Sequence, residues 1–284
     1  MPFDVTSSCR CPAVRDPERL QRTRGTARIG FRVRDGGTRL DRLYQEGAAK
    51  VRFPKGPRGE PPQAVLINTA GGLTGGDAFR TDVDLGPSCR AVMTTQACEK
   101  IYRARDTQDA RITTRLTVGE GARLDWLPQE AILFDRGRAS RLLEADLAAG
   151  ARLLAVEASI FGRTAMGEVV TGGSFRDRWR IRREGRLVFA DDLHLDWAFA
   201  GLLGRPAVLG GAGTVATLAY FGDDAERFVD PLRAVVGDAG GASAWDGKLL
   251  ARIVAHDGMA LRGRLVPALL LLLDGLQLPK VWQI

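Results

Sequence analysis

The sequence predicts a mainly β fold: stacked, coiled β-hairpins, β-helix-like and in two packed sheets, with a few helices chiefly near the C-terminus. Three observations predict it. A strand–turn–strand pattern recurs in "FRTDVDLGPSCRAVM", "ITTRLTVGEGARLDW", "RLLEADLAAGARLLA" and "FRDRWRIRREGRLVF". In each, an apolar residue stands five places before an arginine: Leu85 and Arg90, Val118 and Arg123, Leu147 and Arg152, Ile181 and Arg186. Ahead of it the chain alternates in one phase (Phe79, Thr81, Val83; Ile112, Thr114, Leu116; Leu143, Ala145; Phe175, Trp179), which buries one face of a strand and wets the other. Finally, Arg90, Arg123, Arg152 and Arg186 recur at intervals of 33, 29 and 34 residues. A lone hairpin cannot bury its apolar face, so units at a near-constant period are expected to stack.

Taken in order, the first segment is "MPFDVTSSCRCPAVRDPERLQRTRG", charged and without an apolar stretch of the kind that opens a secretory signal. Residues 1–27 are expected to form a flexible tail and residues 28–284 a single domain. Cys9 and Cys11 form a lone C-x-C there, with no second pair or neighbouring His to complete a metal site. "IGFRVRDGGTRLDRL" reads as a hairpin about a Gly-Gly turn, and "KGPRGEPP" as a linker. Next comes "NTAGGLTGGD", Asn68 to Asp77. A phosphate loop wants backbone N–H groups and a Lys followed by Ser or Thr, whereas the fixed carboxylate of Asp77 repels phosphate. Asp77 instead calls for a positive partner, or serves as a turn residue bonding its own backbone.

Among the repeated units, "SRLLEADLAAGARLLAVEAS" has enough helix propensity to read equally as a helix. "GGAGTVA", Gly210 to Ala216, matches a dinucleotide fingerprint only loosely, because β-prone "TLAYFG" follows where a helix belongs. A helix is expected in "GMALRGRLVPALLLLLDG", where Leu261, Leu265, Leu269 and Leu272 keep helical spacing and Pro267 marks a kink or boundary.

With 284 residues, 45% of them hydrophobic, the chain can bury a substantial core. The longest apolar run, "LVPALLLLLDGL", falls short of a bilayer span, and a cytoplasmic protein is expected. Four cysteines are too few and scattered for a disulfide framework, and Cys89 and Cys98 suit small core positions. Two histidines, His194 and His256, speak against a His-rich metal store or a His-based triad. The net charge of +7 rests on arginines spread along the chain, often alternating with apolar residues as in "RDRWRIRR". That is the wet face of a strand rather than a nucleic-acid motif, and the basic balance equally suits an acidic protein partner.

Several motifs together carry a family likeness: "NTAGGLTGGD", "TTQACEKIYR" (Thr94 to Arg103), "LDWLPQEAILFDRGRA" (Leu124 to Ala139) and "FGRTAMGE" (Phe161 to Glu168). In that order and spacing, with "LYQEGAAKVRFP" before and "DGMALRGRLVPAL" after, the chain from about Arg28 to Leu270 resembles the UreD (UreH) family of urease accessory proteins. Cys98 departs from the small Ala expected in "TTQAAEK" and adds a soft ligand should a metal pass nearby. The resemblance implies a β-rich fold and a non-enzymatic role as a scaffold that docks on apo-urease. Through UreF it would recruit the GTPase UreG and guide Ni2+ into the urease active site, with no tightly bound cofactor of its own.

A conduit for a divalent cation must lower its desolvation cost without holding it. Thiolate and imidazole bind nickel strongly, whereas isolated carboxylates and water hold it weakly. Matched to the family's motifs, the expected transient Ni2+ contacts are Asp77, Glu130, Asp135 and Glu168. Gly71, Gly72, Gly75 and Gly76 would permit positive φ and tight packing so that Asp77 points inward. Two other classes compete: a hydrolase using Glu130 and Glu168 as acid and base, and an arginine-rich RNA-binding protein. A plain structural reading also stands, with Glu130 pairing an arginine such as Arg136 or Arg163.

Overall fold

The computed structural model describes residues 21–57, 59–163, 166–197 and 200–283. Cys9, Cys11 and most of the expected tail lie outside the described residues. Strand β1 (Arg24–Arg34) already begins at Arg24, so Arg24 to Ala27 belong to a sheet. The chain turns at Asp35 and Gly36, both at positive φ (52° and 71°), and pairs β1 with β2 (Gly37–Gly47) as the expected hairpin. β3 (Ala49–Arg52) and β4 (Gln63–Asn68) follow, antiparallel to each other across the Pro/Gly linker.

The first three repeated units are not hairpins. They comprise β5 (Ala78–Leu85) with β6 (Arg90–Thr95), β8 (Ala110–Val118) with β9 (Arg123–Leu127), and β11 (Arg138–Leu147) with β12 (Arg152–Phe161). In each, the first strand enters one sheet and the second enters the other, so the four-residue connector is an arch between sheets. Successive arches stack: the Gly119 N–H donates to the Leu85 carbonyl, Ser88 to Glu120 and Ala148 to Val118. An arch sets the apolar faces of its two strands against each other, which a hairpin within one sheet leaves undone.

The residues aligned by sequence are structural neighbours. Arg90 lies opposite Arg123 and Arg123 opposite Arg152, while Leu85 faces Val118 and Val118 faces Leu147. In the fourth unit, β13 (Gly173–Arg183) and β14 (Arg186–Trp197) do form a hairpin, turning at Glu184 and Gly185 with φ of 49° and 80°. Its register is displaced, with Leu147 opposite Arg183 rather than Ile181. The helix-prone third unit is strand on both sides of its arch, because pairing on both sides overrides local propensity.

One sheet has seven strands in the order β14-β13-β11-β8-β5-β1-β2. The other has ten, led by β16 (Gly240–Trp245), β17 (Lys248–Ala255) and β15 (Thr214–Phe221) and continuing β12-β9-β6-β4-β3. Beside β12, β7 (Glu99–Ile101) and β10 (Ala131–Leu133) make a short face where each coil turns back. β15 is buried along its whole length, which explains why "GGAGTVATLAYFG" enters a strand and not a nucleotide-binding helix.

The helices are α1 (Ala200–Leu203), α2 (Val229–Val236) and α3 (Gly258–Leu273). Asp257 caps α3 by accepting the Ala260 N–H at 2.8 Å, and the helix runs on through Pro267. Alternation along β12 serves two cores. Leu153 and Ala155 join a cluster between the sheets with Phe31, Leu116 and Trp179, whereas Leu154 and Val156 join a second beneath α2 and α3 with Leu232, Leu265 and Leu269.

Candidate functional site: a charged cavity between the sheets

Between the sheets lies a cavity of about 280 Å³. Phe79 and Thr81 of β5, Ile112 and Thr114 of β8 and Arg141 of β11 line it from the seven-stranded sheet. Leu66, Trp126 and Glu157 face them from the ten-stranded sheet, and the segment Thr95 to Lys100, with Pro128 and Gln129, forms a further wall. The cavity reaches the glycine loop at Asn68 and Gly71.

Its charge comes from a buried cluster. Arg141 Nη1 lies 2.6 Å from Glu157 Oε2, and its Nη2 lies 2.6 Å from Asp177 Oδ2 and donates to Ser159 Oγ at 3.2 Å. Trp126 Nε1 donates to Glu157 Oε1 at 3.0 Å. All three charged side chains are less than 10% exposed. Two carboxylates therefore share one guanidinium, and when both are ionised the interior holds an unbalanced negative charge beside the cavity. Burial pushes Glu157 above the usual carboxylate range, Arg141 draws it back and Asp177 pushes it up again. Burial disfavours the Arg141 charge, yet Asp177 and Glu157 hold it more firmly protonated than usual.

Glu99 is the second acid on the wall. It accepts both hydrogen bonds from Asn68 Nδ2, at 3.0 and 3.2 Å, and burial still pushes its carboxyl up to about 7. Beside it, Cys98 donates from Sγ to Glu130 Oε2 at 3.3 Å. Burial, then the Glu130 charge, raises that thiol to about 11, so near neutral pH it is a thiol and not a strong thiolate ligand.

The four acidic residues picked from the sequence have separate partners. Asp77, 4% exposed, closes its own turn: Oδ2 accepts the Thr74 N–H and Oδ1 the Thr23 N–H, each at 2.8 Å. Glu130, 1% exposed, is clamped by Arg262 through Nε at 2.7 Å and Nη2 at 2.9 Å. The arginine it pairs is thus neither Arg136 nor Arg163 but one 132 positions along the chain. Burial opposes its charge, but the Arg262 bonds hold its carboxyl below the usual range. Asp135 accepts the Thr171 N–H at 2.7 Å and hydroxyl at 2.8 Å, and Glu168 pairs Arg163 at 3.0 Å. Gly71, Gly72 and Gly76 have positive φ, whereas Gly75 does not. A Cβ at Gly75 would stand 2.5 Å from the Gln108 carbonyl oxygen, so close packing is what that position requires. Among the described residues, no three His, Cys, Asp or Glu side chains gather as a metal site.

Comparison with known proteins decides the family. The family model described as "UreD urease accessory protein" matches residues 23–283. A urease accessory protein UreD of Mesorhizobium japonicum is 52% identical over 272 residues, covering 94% of this chain and 96% of the relative. That of Agrobacterium fabrum is 48% identical, with 96% of each chain covered. The chain belongs to the UreD family of urease accessory proteins. Membership implies a role in urease maturation and a non-enzymatic one, since these relatives are named accessory proteins.

The hydrolase reading is corrected accordingly: Glu130 and Glu168 are each occupied by an arginine, and neither lines the cavity. Several of the arginines that raise the question of RNA sit on strands facing carboxylates, as Arg176 does Asp192 and Arg115 does Glu144. Among the described residues no helix is long and apolar enough to cross a membrane. Cys89 is a core residue as expected, while Cys98 is at the cavity wall. Sequence reading missed Glu99, Arg141, Glu157 and Asp177. A signal existed for two of them, because Arg141 and Asp177 occupy the apolar phase of β11 and β13.

Proposed function

We propose that this UreD-family chain is a maturation scaffold that docks on apo-urease, recruits UreG through UreF, and passes Ni2+ through the cavity between its sheets. One observation carries the reading: an interior space walled by hydroxyls and by Glu99 and Glu157, with two carboxylates to one guanidinium. A dication entering low-dielectric space favours the ionised form of these carboxyls and gains from their charge. Among the described residues it meets no set of thiolate and imidazole ligands that would trap it. Nickel is the cargo, and the carboxylates' task is to offset its lost hydration while leaving it free to exchange.

Asp77, Glu130, Asp135 and Glu168 take supporting places in this reading. Glu130 stands behind the wall, joined to it through Cys98 and Gln129, and Asp77 shapes the glycine loop that the cavity reaches. Asp135 and Glu168 pin the return loops of the coil, and a transient contact with the ion is proposed for them only where it leaves these bonds.

The test is a double Glu99→Gln and Glu157→Gln variant co-produced with urease, UreF and UreG. Complexes are expected to assemble normally while urease nickel content drops severalfold. Nickel at the unsubstituted level, in complexes carrying the variant, would refute passage by this route.

A further inference from the structure

The seven-stranded sheet ends in β2, which has a paired neighbour on one side only. An 11-residue strand with a bare edge is a template for a further strand. Its hairpin also carries Val33, Leu40, Leu43 and Tyr44, large side chains that are each 39–44% exposed. Proteins blunt such edges with bulges, and one is present: Gly30 lies opposite Arg42 and Phe31 opposite Leu40, which leaves Asp41 as the extra residue. Beyond that bulge, however, Arg42 to Gly47 keep an unbroken register and remain an open edge.

Charge on this stretch narrows the occupant. Arg42, Tyr44 and Glu46 alternate onto one face, opposite Gly30, Arg28 and Thr26 of β1. Arg42 borders a hollow of about 230 Å³ on the outer face of the sheet. The other charged residues lining that hollow have opposite partners: Arg28 and Arg80 share Asp82, Arg115 takes Glu144, Asp41 takes Arg34 and Asp84 takes Arg32. Among the described residues Arg42 has no ion pair. Neither has Glu46, which accepts one hydrogen bond, from the Tyr44 hydroxyl at 2.9 Å. Two unpaired charges of opposite sign therefore stand two residues to either side of Tyr44.

We infer that β2 pairs antiparallel with β2 of a second copy of this chain, about a two-fold axis at Tyr44. In that register Tyr44 lies opposite itself, and Arg42 of each copy lies opposite Glu46 of the other on the same face. On the other face Leu43 meets Gln45 and stands diagonal to the second copy's Leu43. Reversing the strand carries Arg42 onto the place of Glu46, the self-complementarity that a two-fold contact needs and a foreign strand does not. The inference goes beyond cation passage and is independent of it, since it needs only this sheet edge.

Sedimentation velocity of the full chain, from about 1 to 100 μM, should show monomer and dimer in exchange. Arg42→Glu and Glu46→Arg each set like charges opposite one another and should weaken the dimer at least about tenfold. The double variant Arg42→Glu, Glu46→Arg restores opposite charges and should return the dimer to within about threefold of the starting chain, which also shows that the substitutions leave the fold intact. Cross-linking reads the register in a Cys9→Ser, Cys11→Ser background. Tyr44→Cys should oxidise to a covalent dimer, whereas Arg42→Cys should do so only when mixed with Glu46→Cys. A chain that stays monomeric over the whole range would overturn the inference. So would a dimer indifferent to both single swaps, or a double swap no better than either, which would give this edge to another occupant.

Discussion

Arg141 is the residue on which the interior's charge turns. Its replacement by leucine leaves Glu157 and Asp177 buried without a cation, and urea unfolding should show a loss of about 3–5 kcal/mol. Glu157→Gln leaves Arg141 paired one to one with Asp177 but offers a single oxygen to two donors, Trp126 Nε1 and Arg141 Nη1, and the same titration should show a fall of about 1–3 kcal/mol. Glu99 supplies the pH dependence. Its folded carboxyl titrates at about 7 against an ordinary 4.5, so it holds its proton more tightly folded than unfolded. The stability this contributes is complete below the ordinary value and is lost as pH rises through about 7. Relative to Glu99→Gln, the native protein should therefore lose about 2 kcal/mol between pH 5 and 7, read by denaturant titration across that window. These residues were only partly legible. Alternation marks Arg141 between Ala139 and Leu143, and Asp177 between Phe175 and Trp179, as charges on buried phases. Glu157 lies in "LLAVEAS", a strand buried on both faces, where no alternation singles it out. Glu99 offers no such pattern, because it owes its environment to the return of a distant coil. Asp77 and Glu130, expected from the sequence as transient Ni2+ contacts, are buried, and their partners include Thr23 and Arg262, far away in sequence.

The elements were legible as strands because their spacing is the coil period. What the spacing does not contain is whether a four-residue connector folds back within a sheet or crosses to another. The tight hairpins turn on Asp35-Gly36, Glu184-Gly185 and Asp246-Gly247, pairs at positive φ, whereas the arches use longer connectors that bond to one another. Stacking of the arches sets a strict spatial limit at Gly119, where a Cβ would stand 2.7 Å from the Pro87 nitrogen and 2.8 Å from the Gly86 carbonyl carbon. Gly119→Ala should accordingly destabilise the fold by about 1–3 kcal/mol, measured as a shift in the urea midpoint with unchanged slope. Gly121→Ala, in the same arch with its nearest neighbour at 4.0 Å but at φ +61°, tests backbone strain instead of crowding. α3 illustrates the opposite limit, since Pro267 reads in the sequence as a kink or boundary and is not a boundary: the helix continues through it, with side-chain-free Gly263 at the i−4 position where the proline ring crowds the backbone.

At the scale of the molecule, two sheets and a helical layer divide the hydrophobic residues into two cores, and the space left in the inner one is the cavity. No linear pattern announces that space, because it is the gap between strands contributed by successive coils and their returns. The charge-removal variants alter its field; filling it tests passage without touching charge. Thr81 and Thr114 lie opposite each other on neighbouring strands and both face it. The decisive measurement is the nickel content of urease matured with the Thr81→Phe, Thr114→Phe double variant, after circular dichroism and co-purification show that the chain folds and assembles. Passage through the interior predicts a complete but nickel-poor urease complex. Full nickel loading with the cavity filled would contradict it.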